Sequence, residues 1–189
     1  MKGDVQRVKR AAESVGQKIG ERGGEKVSEM VRAGATQGGL PKDLLGINDG
    51  MIETIYGQAY RLYNTGKYKD ASQMFRLLIM LNPTESKYSM GLAACFHMLK
   101  EYASAIELYT ICGTLDPENP VPHFHASDCY LQMDNPISAL VSLEMAVKRA
   151  GEKPQFSTLR DRALLTISSV KEKIKNPVPV SSATGSFGT

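Results

Sequence analysis

Three tyrosines, Tyr56, Tyr60 and Tyr63, stand at i, i+4 and i+7, a spacing that puts all three rings on one face of a helix. Their chemistry is recognition. Each ring is a large rigid apolar body with a polar tip that costs little to order, so a row of them on a face that packing does not require is a surface for a peptide. The residues capable of covalent or metal chemistry are spaced against it. Cys95, Cys112 and Cys129 lie 17 apart without a C-x-x-C pair, and read as small, buried, reduced thiols. His123 and His125 are two residues apart, so they point in different directions on a helix, and with His97 they match no zinc-ligand spacing. No nucleophile has a base at a defensible spacing, no glycine loop is built to cradle a phosphate, and no paired carboxylates share a face. These residues predict a binding protein without catalytic residues, metal ligands or a cofactor.

What must position the tyrosines is a repeat. Pro83 and Pro117 are 34 residues apart, as are Gly57 and Gly91, Tyr68 and Tyr102, Ala71 and Ala105, and Phe75 and Tyr109. Tyr130, Ala139 and Leu143 carry the same register into a third unit. A 34-residue period with apolar residues at helical spacing and a boundary proline is the signature of the tetratricopeptide helix-turn-helix repeat. The expected fold is therefore all-α, with three units at about 52–85, 86–119 and 120–153 inside a domain spanning 40–175. In the first unit Ile55, Ala59 and Leu62 face the second helix, Gly66 ends the first helix, and Lys67 to Leu81 forms the second. Ala71 is small where two backbones cross, and Pro83 forces the exit. A short turn at Pro41 to Leu45, stopped by Gly46, precedes the first unit, with Asn48 and Asp49 available as caps. Phe156, Leu159, Ala163, Leu164, Ile167, Val170 and Ile174 form the stripe of a capping helix over 156–175, which covers the last apolar face of the array.

The first helices of such an array line a concave groove. The helix face opposite the packed one carries Tyr56, Tyr60 and Tyr63 in the first unit and Lys87, Met90, Ala94 and His97 in the second. In the third it carries Val121, Phe124, Asp128 and Leu131. Asp128 is the only carboxylate among them, which suits orientation of a partner's backbone.

At 189 residues, 42% of them apolar and none of them tryptophan, the chain has the material for one domain with a sizeable core and two tails. No run approaches the ~20 apolar residues needed to span a bilayer, and Met1 to Gln17 lacks the core of a secretory signal. The expected location is the cytosol, with no membrane partner. The formal charge of +3 sits outside the repeats: residues 1–33 hold 8 Lys+Arg against 5 Asp+Glu, residues 154–175 hold 5 against 2, and residues 52–153 hold 9 against 11. A slightly acidic repeat body argues against a nucleic-acid partner. Within 1–39, Val5, Val8, Ala12, Val15 and Ile19 form a narrow coiled-coil seam weakened by Gly16, Gly20, Gly23 and Gly24. That segment reads as a frayed tail or as a self-association element. Residues 176–189, rich in Pro, Ser, Gly and Thr, are expected to be disordered.

Three stretches go beyond the generic repeat: Ile55-Tyr56-Gly57-Gln58-Ala59-Tyr60-Arg61-Leu62-Tyr63 leading into Gly66-Lys67-Tyr68, then Gly91-Leu92-Ala93-Ala94-Cys95, then Phe124-His125-Ala126-Ser127-Asp128-Cys129-Tyr130-Leu131. In them the chain, from about Leu40 to Leu165, resembles the class II chaperones of bacterial type III secretion systems. The resemblance implies a chaperone of the bacterial cytoplasm. It would hold hydrophobic translocator proteins by an extended segment whose proline and leucine side chains enter the groove. Tyr56, Tyr60 and Tyr63 would form the first pocket wall, continued by Met90, Ala94, His97 and Phe124. It also raises a homodimer through the N-terminal region. Two other readings stand beside it. One is a general tetratricopeptide adaptor; if it gripped a C-terminal carboxylate it would need lysines and asparagines where this chain has Tyr56, Tyr60, Gly91, Val121 and His125. The other is a structural subunit of a secretion or pilus apparatus.

Overall fold

The computed structural model describes residues 41–176, which fall into two compact units, the first ending at Asp116 and the second beginning at Pro117. The N-terminal seam within 1–39 and the tail beyond residue 176 lie outside the described residues. Among the described residues every regular element is helical. The first unit contains α1 (Pro41–Leu44), α2 (Asp49–Asn64), α3 (Tyr68–Leu81), α4 (Ser86–Met98) and α5 (Tyr102–Leu115). The second contains α6 (Val121–Gln132), α7 (Pro136–Ala150), a single 3-10 turn (Pro154–Phe156) and α8 (Ser157–Lys175).

Local chemistry explains where the helices start and stop. Asn48 Oδ1 accepts the Met51 amide at 2.9 Å and opens α2, satisfying a donor that has no partner inside the helix. Asn135 Oδ1 does the same for Ser138 at 3.1 Å, ahead of Pro136, whose missing N–H costs nothing in the first turn of α7. The turns inside the three helix pairs share one backbone. Gly66, Lys100 and Asp134 all have left-handed φ values of 77°, 63° and 52°. At each turn two amides fold back on the preceding helix. Gly66 and Lys67 donate to Tyr63 and Leu62, Lys100 and Glu101 to His97 and Phe96, and Asp134 and Asn135 to Leu131 and Tyr130. The 34-residue period is thus kept by the conformation even where the glycine that favours it is missing.

The interior repeats too. Ala59 and Ala93 are fully buried in the first unit and Ser127 in the second, and so are Ala71, Ala105 and Ala139, small residues in a densely packed interior. In the first unit, consecutive helices from α2 to α5 pack as neighbours around Phe75, Leu78, Tyr88 and Tyr109. In the second, α7 packs against α6 and α8, and Phe124, Leu143, Ala146, Ala163 and Ile167 form the core. Arg160 Nη1 donates to the Gly151 carbonyl at 2.8 Å and fixes the turn between α7 and α8. The stripe that α8 buries is narrower than its sequence suggests. Ala163, Ile167 and Val170 are buried, whereas Leu164 and Ile174 remain 46% and 41% exposed, because α8 rests mainly on one neighbour and needs only a single i, i+4, i+7 row.

Candidate peptide-binding site

In the first unit, α2 and α4 are the first helices of successive helix pairs and lie side by side. Glu53 and Lys87, at equivalent places in the two repeats, tie them together: Lys87 Nζ donates to Glu53 Oε1 at 2.8 Å. Beside this ion pair opens a pocket of about 210 Å³. One wall is Tyr56, Tyr60 and Tyr63 from α2; the other is Lys87, Met90, Gly91 and Ala94 from α4; Phe75 of α3 closes the floor.

Tyr56 is held by three rings. It stacks on Tyr60 at 6.4 Å between centroids, meets Phe75 edge-on at 6.2 Å and tilts against Tyr88 at 5.7 Å, each geometry favourable for ring quadrupoles. The Lys87 ammonium lies 4.9 Å from the Tyr56 centroid and 5.4 Å from that of Tyr88, a cation over aromatic faces. Its hydrogen bond to Glu53 raises its pKa above the ordinary lysine value. Tyr63 is edge-on to Tyr68 at 5.3 Å, and burial pushes its hydroxyl pKa up. Tyr60 is the outlier, 54% exposed, with a large aromatic surface turned to solvent. At this volume, below the ~300–1,000 Å³ of ordinary small-molecule sites, the pocket takes one or two apolar side chains. With Glu53 bound to its ammonium, Lys87 brings little unbalanced charge, which suits a peptide carbonyl better than a free carboxylate.

The structure brings Tyr56, Tyr60, Tyr63, Lys87, Met90 and Ala94 around this pocket. His97, further along α4, is outside the lining and sits edge-on to Tyr102 and Tyr109 at 5.9 and 6.4 Å. In the second unit Val121, Asp128 and Leu131 are half-buried on α6. Phe124 departs from the expectation of a groove residue. It is only 7% exposed and belongs to the core with Leu143, Ala146, Ala163 and Ile167, and the Arg162 guanidinium lies 5.3 Å from its ring centroid. α8 covers it, and the repeat register alone does not show that cover. Phe75, which the repeat pattern puts on the packed face, also lines the pocket, and Gly91, one of the groove-wall positions weighed for a carboxylate grip, lines it as well.

The three cysteines are free and buried. Burial pushes the Cys95 and Cys129 thiols up to about 11 and that of Cys112 to about 12, so all three stay protonated at neutral pH and are poor nucleophiles. Among the described residues no helix is long and apolar enough to cross a membrane.

Helix pairs recurring every 34 residues define a protein of the tetratricopeptide class, and the tetratricopeptide repeat family matches residues 52–83 and 86–119. Low calcium response locus protein H of Yersinia pseudotuberculosis is 33% identical over 138 residues, which cover 73% of this chain and 80% of the relative. Chaperone protein SicA of Salmonella typhimurium is 31% identical over 147 residues, 78% of this chain and 87% of its own length. Among solved structures, the type III secretion chaperone SycD of Yersinia enterocolitica in complex with a peptide of the translocator YopD superposes with a TM-score of 0.65 at 31% identity, covering 68% of this chain and 98% of SycD. SycD has also been solved as a dimer. The chain belongs to the family of class II type III secretion chaperones, the translocator chaperones.

Proposed function

We propose that this protein is a cytoplasmic chaperone of a bacterial type III secretion system. It binds hydrophobic translocator proteins through an extended segment and keeps them soluble and unassembled until secretion, without catalysing a reaction. The observation that carries the proposal is the aromatic pocket: a wall of three tyrosines over a Phe75 floor, with Tyr60 presenting its ring to solvent. The SycD–YopD peptide complex of a relative supports it.

The pocket alone is not enough for stable retention. The one or two apolar side chains it takes give a gross stabilisation of about 2–6 kcal/mol, from which ordering costs are subtracted, whereas a micromolar complex already needs about 8 kcal/mol. The client therefore engages more than this pocket. Val121, Asp128 and Leu131 on α6, His97 on α4, and the N-terminal segment are the proposed additional contacts. Homodimerisation through that N-terminal segment is part of the same proposal, supported by the dimeric SycD structure.

The test is co-expression with hydrophobic translocator candidates from the protein's own secretion locus. The wild-type chain should render one of them soluble and co-purify with it. A chain that captures none of them acts instead as a tetratricopeptide adaptor with another partner.

A further inference from the structure

We infer that Gly91 is the specificity-determining residue of the aromatic pocket: by carrying no side chain it lets the Phe75 ring form the floor, and so sets the size of the apolar side chain that enters. The inference rests on the peptide-binding reading above and deepens it.

A Cβ placed on Gly91 would lie 2.3 Å from Phe75 Cε1, 2.4 Å from Cζ and 2.7 Å from Cδ1. Three ring atoms thus stand where a side chain at 91 would begin. The ring has little freedom to retreat, since it is almost fully buried, meets Tyr56 edge-on at 6.2 Å, and sits in an interior packed to crystal-like density. The repeat does not itself impose a glycine here. Gly57, one period earlier, has nothing within 4 Å of its ideal Cβ, and one period later the position is His125. The small residues that helix packing does impose lie two positions on, at Ala59, Ala93 and Ser127, all fully buried. Gly91 therefore answers to Phe75, and through it to the pocket. Any side chain at 91 drives the Phe75 ring toward Tyr56 and into a space of only about 210 Å³. A smaller residue at 75 has the opposite effect, and Leu143, the equivalent residue in the third repeat, shows that leucine is accepted there as a fully buried side chain.

The experiment uses the full chain and three capped amino acids of increasing size, N-acetyl-alaninamide, N-acetyl-leucinamide and N-acetyl-phenylalaninamide, titrated while the aromatic proton resonances of Tyr56, Tyr60 and Phe75 are followed by NMR. In the wild type those resonances should respond most strongly to the leucine amide. Gly91→Ala should weaken the leucine response roughly tenfold and shift the preference to the alanine amide. Phe75→Leu, which leaves Gly91 in place and keeps the test decisive should Gly91→Ala fail to fold, should admit the phenylalanine amide. Gly91→Ala combined with Phe75→Leu should recover the leucine response. A size order unchanged by either substitution, or a wild type that responds to none of the three, overturns the inference. The outcome is separable from client capture. A chain that retains a translocator yet keeps one size order loses this inference alone; a chain with the expected size order that retains no translocator loses the chaperone reading alone.

Discussion

Tyr56 and Phe124 occupy the same place in their repeats, two 34-residue periods apart, and end in different environments. Tyr56 is half-buried and walls an open pocket, and so is its counterpart Met90 on α4. Phe124 is enclosed in the core of its own unit by Ala163 and Ile167 of α8 and lies beneath the Arg162 guanidinium. Repeat register decides which way a side chain points. What meets it there depends on the next element. In the first unit the tyrosine face opens to solvent at Tyr60, whereas in the second the terminal helix packs over the equivalent aromatic.

The largest expected effect breaks that comparison at its buried end. Phe124→Ala should cost about 3–5 kcal/mol, the range for emptying a core aromatic site, while Met90→Ala, at the equivalent position beside the pocket, should cost well under half as much. Urea unfolding followed by far-UV circular dichroism measures both. Equal costs would mean that Phe124 is not the core residue its burial makes it.

The thiols test the interiors of both units through pH. A buried thiol keeps its proton to a higher pH than the same thiol in the unfolded chain. The unfolded state therefore loses protons first, and stability falls as pH rises. The fall should begin near the unfolded thiol pKa of about 8.5 and continue toward the folded values of about 11 for Cys95 and Cys129 and about 12 for Cys112. Replacing all three with serine should flatten the thiol contribution to the alkaline limb, and in the wild type a thiol reagent at neutral pH should label the cysteines only after denaturant is added.

Glycine gives a sharper, sign-based comparison. Gly57→Ala, with open space around the new methyl, should stabilise α2 by about 1 kcal/mol through helix propensity alone. Gly91→Ala gains the same propensity but meets the Phe75 ring, and overpacking of about 1–3 kcal/mol should turn the net effect destabilising. Opposite shifts in melting temperature are expected; two upward shifts would remove Phe75 from the α4 backbone. The smallest effect concerns the turns. Lys100→Gly relieves a left-handed non-glycine residue and should stabilise by up to about 1 kcal/mol, whereas Gly66→Ala should destabilise by a similar amount, as thermal melts would show.

These positions also mark how far the sequence could be read. The 34-residue recurrence of Ala71, Phe75 and Pro83 announced helix pairs because small, aromatic and helix-breaking residues each answer to one local requirement, and those requirements repeat with the structure. Tyr56, Tyr60 and Tyr63 were visible as one face for the same reason. Lys100 and Asp134 were not visible as left-handed residues, since the conformation recurs there without glycine and only the hydrogen bonds betray it. Phe124 was misplaced because a helix more than 30 residues later in the chain covers it. Gly91 is legible as a landmark and a groove-wall position and Phe75 as core, but not their contact, because it joins two helices that no spacing rule connects. Leu164 and Ile174 extended the α8 stripe on paper, but one neighbouring helix offers room for a narrower row.

Co-purification of a hydrophobic translocator with wild type and with Tyr60→Ala/Tyr63→Ala decides whether the tyrosine-walled pocket of the first unit holds the client. The wild type should capture it, the double variant should not, and the helical spectrum should be unchanged between them. Retention of the client by the double variant would move the binding site off this face.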